Sequence, residues 1–289
     1  MKEEEKEALL TYFVQFLNIE KRYPLLPGTK DSANVAAFIG LDGDEFTQAR
    51  EKFAWQAKQA ALEVLKDDDF QDLLDKLPFK KDDKIAVIGD SVTDDPQGWF
   101  SILKNVLEIY TEGADFQWLD VSHQGETSTE ALIKLDRDVL SKEPDWVFVA
   151  LGNEDAMRPN VAVNRNLVSL AEFWENISSI ESAISQVVEN PIIWITPTPP
   201  MNELMDKMPV FSGVLQEEDL AQYREVIAGK TGYVVDPMGS RMGNPAEAWN
   251  YLGDGFHHST VGHIATVKEI IKLLSSASKV SEGAELSDE

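Results

Sequence analysis

The amino-acid sequence predicts an α/β protein, in which a five-stranded parallel sheet is covered by helices on both faces and follows an N-terminal helical extension. From Lys84 onward, short apolar runs alternate with longer amphipathic stretches, which is the pattern of a parallel sheet buried between helices. Before Lys84, apolar residues recur at helical spacing, as they do between Phe53 and Leu65. With 289 residues, the chain is long enough for one large domain and an added helical segment.

The predicted elements follow one another in βα order. The apolar run from Ile85 to Ile88 ends at a small and acidic turn, as expected for a buried strand, and the later strands are recognised in the same way. Strands are expected at 85–88, 115–121, 146–151, 191–196 and 232–236, and helices at 98–110, 127–140, 167–189, 217–229 and 260–275. We therefore predict a helical extension over residues 1–82, an α/β domain over 83–275 and a disordered acidic tail over 276–289.

The composition limits the classes of partner. The net charge of −25 repels nucleic acid and anionic membrane surfaces, so we expect neither as a partner. It suits a protein that acts on neutral or cationic small molecules. The chain has no cysteine, which excludes disulfides, thiolate zinc sites and a cysteine nucleophile.

The sequence also predicts where the protein works. The segment from Met1 to Glu7 is too acidic for a signal peptide, and no apolar core follows it. No stretch approaches the roughly 20 apolar residues of a membrane span. We therefore expect a cytoplasmic protein.

Residues that could carry chemistry come directly after predicted strands. Ser91, Gly125 and Asn153 each follow one, and the carboxyl ends of parallel strands meet at one edge of a sheet. Serine needs a base to become a nucleophile. Asp254 and His257, three residues apart near the end of the domain, could supply an orienting acid and that base. The order Ser, Asp, His along the chain is compatible with a serine hydrolase.

Such a hydrolase also needs donors that face the oxyanion of its tetrahedral intermediate. The N–H of Ser91 is free because this residue opens a predicted helix, where the helix dipole is positive. Gly125 lacks a side chain, so its N–H could approach closely. Asn153 could add a side-chain amide.

Four short segments carry a resemblance to a known family. They are Ile88-Gly89-Asp90-Ser91, Gly125, Gly152-Asn153-Glu154-Asp155 and Asp254-Gly255-Phe256-His257. In order and approximate spacing they resemble the four sequence blocks of the SGNH (GDSL-type) hydrolases, over about residues 83–275. The run from Asp90 to Asp95 is most similar to the intracellular bacterial members.

The resemblance implies an ester or thioester hydrolase on a three-layer flavodoxin-like sandwich that uses no metal or other cofactor. By the same resemblance, Ser91 is the nucleophile, His257 the base and Asp254 the partner of His257.

One block departs from the family pattern. The third block of the family reads Gly-x-Asn-Asp, and aligning Asp155 places Glu154 where the oxyanion asparagine belongs. An ionised glutamate would repel the oxyanion, so Glu154 could help only if burial kept it protonated. Alternatively the loop shifts by one residue and Asn153 supplies the amide, which is the interpretation we favour.

The function we predict is a serine esterase that cleaves small esters, acetyl esters and thioesters among them, through an acyl-enzyme. Two alternatives stay open: a non-catalytic or weakly active binding or regulatory protein, motivated by Glu154, and a carbohydrate deacetylase or acyltransferase. His258 is expected in a loop without a catalytic role, and a zinc site is disfavoured because no carboxylate follows the histidines at metal-site spacing. The N-terminal helices could cover the site, pack on the sheet or mediate association into a homo-oligomer.

Overall fold

A computed structural model describes residues 11–205, 213–239, 243 and 247–285. The strands in these ranges are β1 (Lys84–Gly89), β2 (Gln117–Asp120), β3 (Trp146–Ala150), β4 (Arg158–Pro159), β5 (Ile193–Ile195), β6 (Gly213–Val214) and β7 (Tyr233–Val235). Five of them form one parallel sheet in the order β2, β1, β3, β5, β7. This is a doubly wound order, in which β2 lies on one side of β1 and the later strands are added on the other side, beginning with β3. The order confirms the predicted sheet.

Helices connect the strands and precede them. They are α1 (residues 11–16 of the described chain), α2 (Ile19–Arg22), α3 (Ser32–Ile39), α4 (Gly43–Leu65), α5 (Asp68–Leu74), α6 (Ser91–Asp94), α7 (Trp99–Tyr110), α8 (Ser128–Asp138), α9 (Asn153–Ala156), α10 (Leu170–Ile184), α11 (Asn202–Met205), α12 (Glu217–Ala228) and α13 (Thr260–Glu285). Short 3₁₀ turns occupy Pro27–Lys30, Leu140–Lys142, Pro237–Gly239 and Ala248–Asn250.

The sheet separates two hydrophobic cores, because successive side chains of a strand point to opposite faces. Along β1, Ala86 and Ile88 lie in the core formed with α8, α10 and α12. Ile85 and Val87 lie in the other core, formed with α4, α5, α7 and α13. The result is the three-layer α/β/α sandwich, with the N-terminal helices as an addition.

The N-terminal helices divide into two parts. Ala57, Ala61 and Val64 of α4 are buried in the same core as the sheet, because their small side chains let α4 approach α7 closely. Residues 11–39, which we call the N-terminal cover, form a second small core around Val14 and Val35 together with Phe46 and Phe53 of α4. A unit boundary at residue 82 stays a prediction, although α4 and α5 pack as part of the sandwich.

Two features differ from the predicted pattern. Helix α13 continues to Glu285 and so includes most of the segment expected to be a disordered tail, where lysine, alanine and glutamate favour a helix. Residues 286–289 of that segment lie outside the described ranges. Strands β4 and β6 form a two-stranded antiparallel ribbon that sequence periodicity could not reveal, since each strand has only two residues. Among the described residues, none of the helices has the length and apolar character of a membrane span.

Candidate active site

Ser91 opens α6 directly after strand β1, which lies between β2 and β3 in the sheet. Asp90 caps the short helix α6 by accepting a hydrogen bond from the N–H of Val92 at 3.0 Å. The strand must end in glycine here, because a Cβ on Gly89 would lie 2.5 Å from Oγ1 of Thr93. The tight strand-to-helix turn therefore fixes the hydroxyl of Ser91 at the carboxyl edge of the sheet.

Asp254 and His257 lie in the turn before α13. Oδ1 of Asp254 accepts hydrogen bonds from the backbone N–H groups of Phe256 (3.0 Å) and His257 (2.9 Å), which closes the turn. Gly255 has φ of +71° and faces the carbonyl oxygen of Met201, so neither its conformation nor its surroundings accept a side chain. This turn directs the carboxylate and the imidazole to the same side.

The structure brings the three residues of the predicted triad into one hydrogen-bonded line. Nδ1 of His257 lies 2.8 Å from Oδ2 of Asp254, and Nε2 lies 2.8 Å from Oγ of Ser91. Burial alone would raise the pKa of Asp254, but the hydrogen bonds from His257 and from the backbone hold it below its usual value. An ionised Asp254 requires a proton on Nδ1, so the lone pair of Nε2 can accept a hydrogen bond from Oγ of Ser91.

Two of the predicted oxyanion donors have a backbone N–H group that donates to no acceptor among the described residues. They are Ser91, at the start of α6, and Gly125, which follows β2. Gly125 has φ of +74°, a conformation that glycine adopts without strain. The turn between β2 and α8 can therefore present this N–H toward the loop that carries Ser91.

Asn153 and Glu154 open α9 at the end of β3. Nδ2 of Asn153 donates to Oδ2 of Asp90 at 2.9 Å, so this amide is directed toward the turn that holds Ser91. A carboxamide has two N–H donors, and this bond uses one of them. Burial, together with the neighbouring carboxylates of Asp90 and Asp155, raises the pKa of Glu154 to about 8. At neutral pH Glu154 is therefore mostly protonated, and its charge does not oppose an oxyanion.

Glu154 is one of several carboxyl groups at this edge of the sheet with a raised pKa, and burial is the largest cause for each. The values are about 6 for Asp90, 8 for Glu154 and 7 for Asp155. The folded protein holds these protons at pH values where the unfolded chain has released them.

Stability should consequently fall as the pH rises. Burial lowers the pKa of His123 and His258. These two histidines make stability rise with pH, but only below about pH 6.5. From about pH 6.5 to 8.5 we expect the free energy of unfolding to decrease by at least about 2 kcal/mol, measured by calorimetry. Glu154→Gln should flatten the decrease, whereas Glu172→Gln on the exposed side of α10 should not. A melting temperature that rises across this range would contradict the prediction.

The other histidines have structural partners. Nε2 of His258 lies 2.8 Å from Oγ1 of Thr198, away from Ser91. Nδ1 of His263 accepts from the N–H of Trp99 at the start of α7. The expectation of a loop residue is correct for His258, but its side chain is buried rather than exposed. Among the described residues, no group of three or more His, Asp or Glu side chains is arranged to hold a metal ion.

The residues that cover the triad were not among the predicted site residues. The ring of Phe16 stacks on the imidazole of His257, with centroids 3.8 Å apart and planes at 26°. Tyr12 contacts the same imidazole edge-on at 5.7 Å, and its hydroxyl accepts a hydrogen bond from Gln124. The apolar spacing of α1 predicted a helix, but nothing in it indicated what the helix would pack on.

Lys21 forms ion pairs that hold the N-terminal cover at the carboxyl edge of the sheet. Its ammonium group lies 2.5 Å from Oδ1 of Asp94 and 2.6 Å from Oδ2 of Asp120. Gln15 adds a hydrogen bond of 2.8 Å to Asp95. Burial opposes the charge of Lys21, but the two carboxylates raise its pKa above the usual value. The cover is thus bound through charge as well as through the aromatic contacts on His257.

Comparisons with known proteins found a matching family model and several related proteins. Residues 87–265 match the model of the GDSL-like Lipase/Acylhydrolase family. The chain is 30% identical to Esterase TesA of Pseudomonas aeruginosa over 95 residues, which are 30% of this chain and 46% of TesA, so the match spans about half of that relative.

Solved structures show the same fold. LAE5, an alpha/beta hydrolase enzyme from the metagenome of Lake Arreo, Spain, is 18% identical with a TM-score of 0.55, over 68% of this chain and 96% of its own. A variant of Axe2, an acetyl xylan esterase from Geobacillus stearothermophilus, is 20% identical with a TM-score of 0.52, over 68% and 97%. The lipase/acylhydrolase from Enterococcus faecalis is 20% identical with a TM-score of 0.52, over 68% and 96%.

Proposed function

The chain belongs to the GDSL-like lipase/acylhydrolase family, as its resemblance to the SGNH hydrolases implied, and from this we propose that it is a serine esterase with Ser91 as nucleophile, His257 as base and Asp254 as the group that orients His257. The observation that carries the proposal is the line of two 2.8 Å contacts from Asp254 through His257 to Ser91. All three side chains are buried, where such contacts are strongest.

In the first half of the proposed reaction, Oγ of Ser91 attacks the carbonyl carbon of the ester while its proton moves to Nε2 of His257. The bond from carbon to the alcohol oxygen then breaks, and the alcohol leaves with the proton from His257. In the second half, water attacks the acyl-enzyme and gives a proton to Nε2. Oγ recovers this proton when the acid is released.

The backbone N–H groups of Ser91 and Gly125 are the proposed oxyanion donors, with the second amide N–H of Asn153 as the third. Asn153 also stabilises the turn that carries Ser91 through its hydrogen bond to Asp90. Glu154 in protonated form avoids repulsion, and its pKa near 8 makes this possible at neutral pH. Each donor removed from such a site typically costs about 10²–10³ in kcat.

The proposed substrate is a small neutral ester, in keeping with the net charge of −25. The acetyl xylan esterase among the structural neighbours makes a carbohydrate acetate a specific candidate, in which case the protein is a deacetylase. Both reactions pass through the same acyl-enzyme. Water as acceptor gives a hydrolase, and an alcohol as acceptor gives an acyltransferase.

Labelling with a fluorophosphonate followed by peptide mapping tests the proposal. We expect a single modified residue, Ser91, because the reagent needs a serine whose proton is taken up by a neighbouring base. Ser91→Ala is the control and should stay unlabelled. If neither the native protein nor a Phe16→Ala variant with an uncovered imidazole reacts, the non-catalytic alternative becomes the better interpretation.

A further inference from the structure

The N-terminal cover closes the space in front of the nucleophile. Ser91 and His257 each expose only 1% of their surface. Phe16, itself 1% exposed, lies flat on the imidazole, and Tyr12 lies edge-on beside it. An ester cannot reach Oγ of Ser91 while these two rings stay in place. These rings lie outside the part of the chain that matches the family model, which begins at residue 87.

Directly beyond Phe16, the cover forms a cavity of about 640 Å³. This volume is within the range of about 300–1,000 Å³ that is usual for small-molecule sites. Its lining is mainly apolar and includes Phe16, Leu26, Val35 and Phe38 from the cover, with His123 and Gln124 from the loop after β2.

Two residues link this cavity to the neighbourhood of the triad. Phe16 both lines the cavity and stacks on His257. Gln124, which also lines the cavity, immediately precedes Gly125. Displacement of the Phe16 ring would therefore join the cavity to the space between the nucleophile and the N–H of Gly125.

We propose that this cavity binds the acyl chain of the ester and that Phe16 is the gate between the cavity and Ser91. The inference rests on the esterase activity proposed above and, among its candidate substrates, selects esters of apolar acids longer than acetate over a carbohydrate acetate. The carbonyl carbon would lie at Ser91, with the chain running past the position of Phe16 toward Leu26 and Phe38.

The charges around the cavity favour a neutral chain over an anion. Arg22 also lines the cavity, but its Nη1 donates to the carbonyl oxygen of Gln124 at 2.9 Å and its Nη2 lies 3.4 Å from Glu130. Its charge is thus compensated, and the walls offer mainly apolar contact. Each methylene transferred from water to such a site should raise kcat/KM about fourfold.

The test compares kcat/KM for p-nitrophenyl octanoate and acetate in the full-length protein. Leu26→Asp and Phe38→Asp place a charge in the lining at residues that are 55% and 74% exposed, so folding should be retained. We expect each to reduce the ratio of the octanoate rate to the acetate rate at least tenfold. Ile133→Asp on α8, at a residue that is 79% exposed and outside the cavity, is the matched control and should change neither.

Phe16→Ala tests the gate. It should increase kcat/KM for octanoate and the rate of fluorophosphonate labelling at least fivefold, since the imidazole and Ser91 become accessible. Calorimetric binding of methyl octanoate to the Ser91→Ala protein gives a readout that needs no turnover, and it should be lost in Ser91→Ala combined with Phe38→Asp.

The outcomes separate the two proposals. If esters are cleaved through Ser91 but Leu26→Asp and Phe38→Asp leave the ratio of octanoate to acetate unchanged, the cavity is not the acyl site and the esterase stands. If Ser91→Ala keeps full turnover, the esterase proposal fails. In that case the acyl-chain site is also overturned if methyl octanoate does not bind.

Discussion

Ser91→Ala should lower kcat for p-nitrophenyl acetate by roughly 10⁴- to 10⁶-fold, as removal of a triad nucleophile does elsewhere. The reason is geometric, because Oγ is the atom that lies 2.8 Å from Nε2 of His257 at the end of the hydrogen-bonded line. The remaining activity would come from binding and from the oxyanion donors, which the substitution leaves in place. Steady-state kinetics on the purified variant provide the measurement.

The fold should survive this change. Ser91→Ala removes one hydroxyl whose hydrogen bond contributes about 1 kcal/mol, so the melting temperature should stay within a few degrees. Ser101→Ala on α7 is a serine control outside the site and should keep full activity. Undiminished turnover by a correctly folded Ser91→Ala protein would remove Ser91 from the mechanism.

His257→Gln should have an effect of similar size, whereas His258→Gln should change kcat less than about tenfold. The two neighbours in sequence point to different partners, because Nε2 of His257 faces Ser91 while Nε2 of His258 faces Thr198. Loss of His257 removes both the proton acceptor and the group that returns the proton to the leaving alcohol. Burial also holds the pKa of His258 well below its usual value, which suits a neutral structural residue.

The adjacent substitution serves as the control for this prediction. Both histidines are buried, so stability should fall in either variant, and thermal melts are needed to show that each is folded at the assay temperature. A folded His258→Gln protein without activity, beside an active His257→Gln protein, would move the base by one residue.

The sequence predicted the sheet because each strand is a short apolar run buried on both faces. Ser91, Gly125 and Asn153 were predicted as site residues for a related reason, since parallel strands end at a common edge. His257 was predicted as the base because Asp254 precedes it at turn spacing, and the turn brings the two side chains within 2.8 Å of each other. These features depend on residues close together in the chain.

The cover could not be predicted in the same way. Phe16 and His257 meet through tertiary packing across most of the chain, and an apolar helical face does not specify its partner. The alanines of α4 likewise predicted a helix without indicating that it belongs to the main core. The raised pKa of Glu154 depends first on burial and then on the carboxylate of Asp90, and only the folded sheet supplies both.

The packing of α4 against α13 has a consequence for how the protein is made. Val64 shares its core with Val267 and Ile271, so the packing of α4 is completed by a helix that is synthesised much later. At about 5–20 residues per second, the roughly 200 residues between them take about 10 to 40 s to leave the ribosome. During this time α4 can pack on α7 and β1, but the part of its surface that meets Val267 and Ile271 stays uncovered. This face of the core can therefore be completed only after α13 has been synthesised.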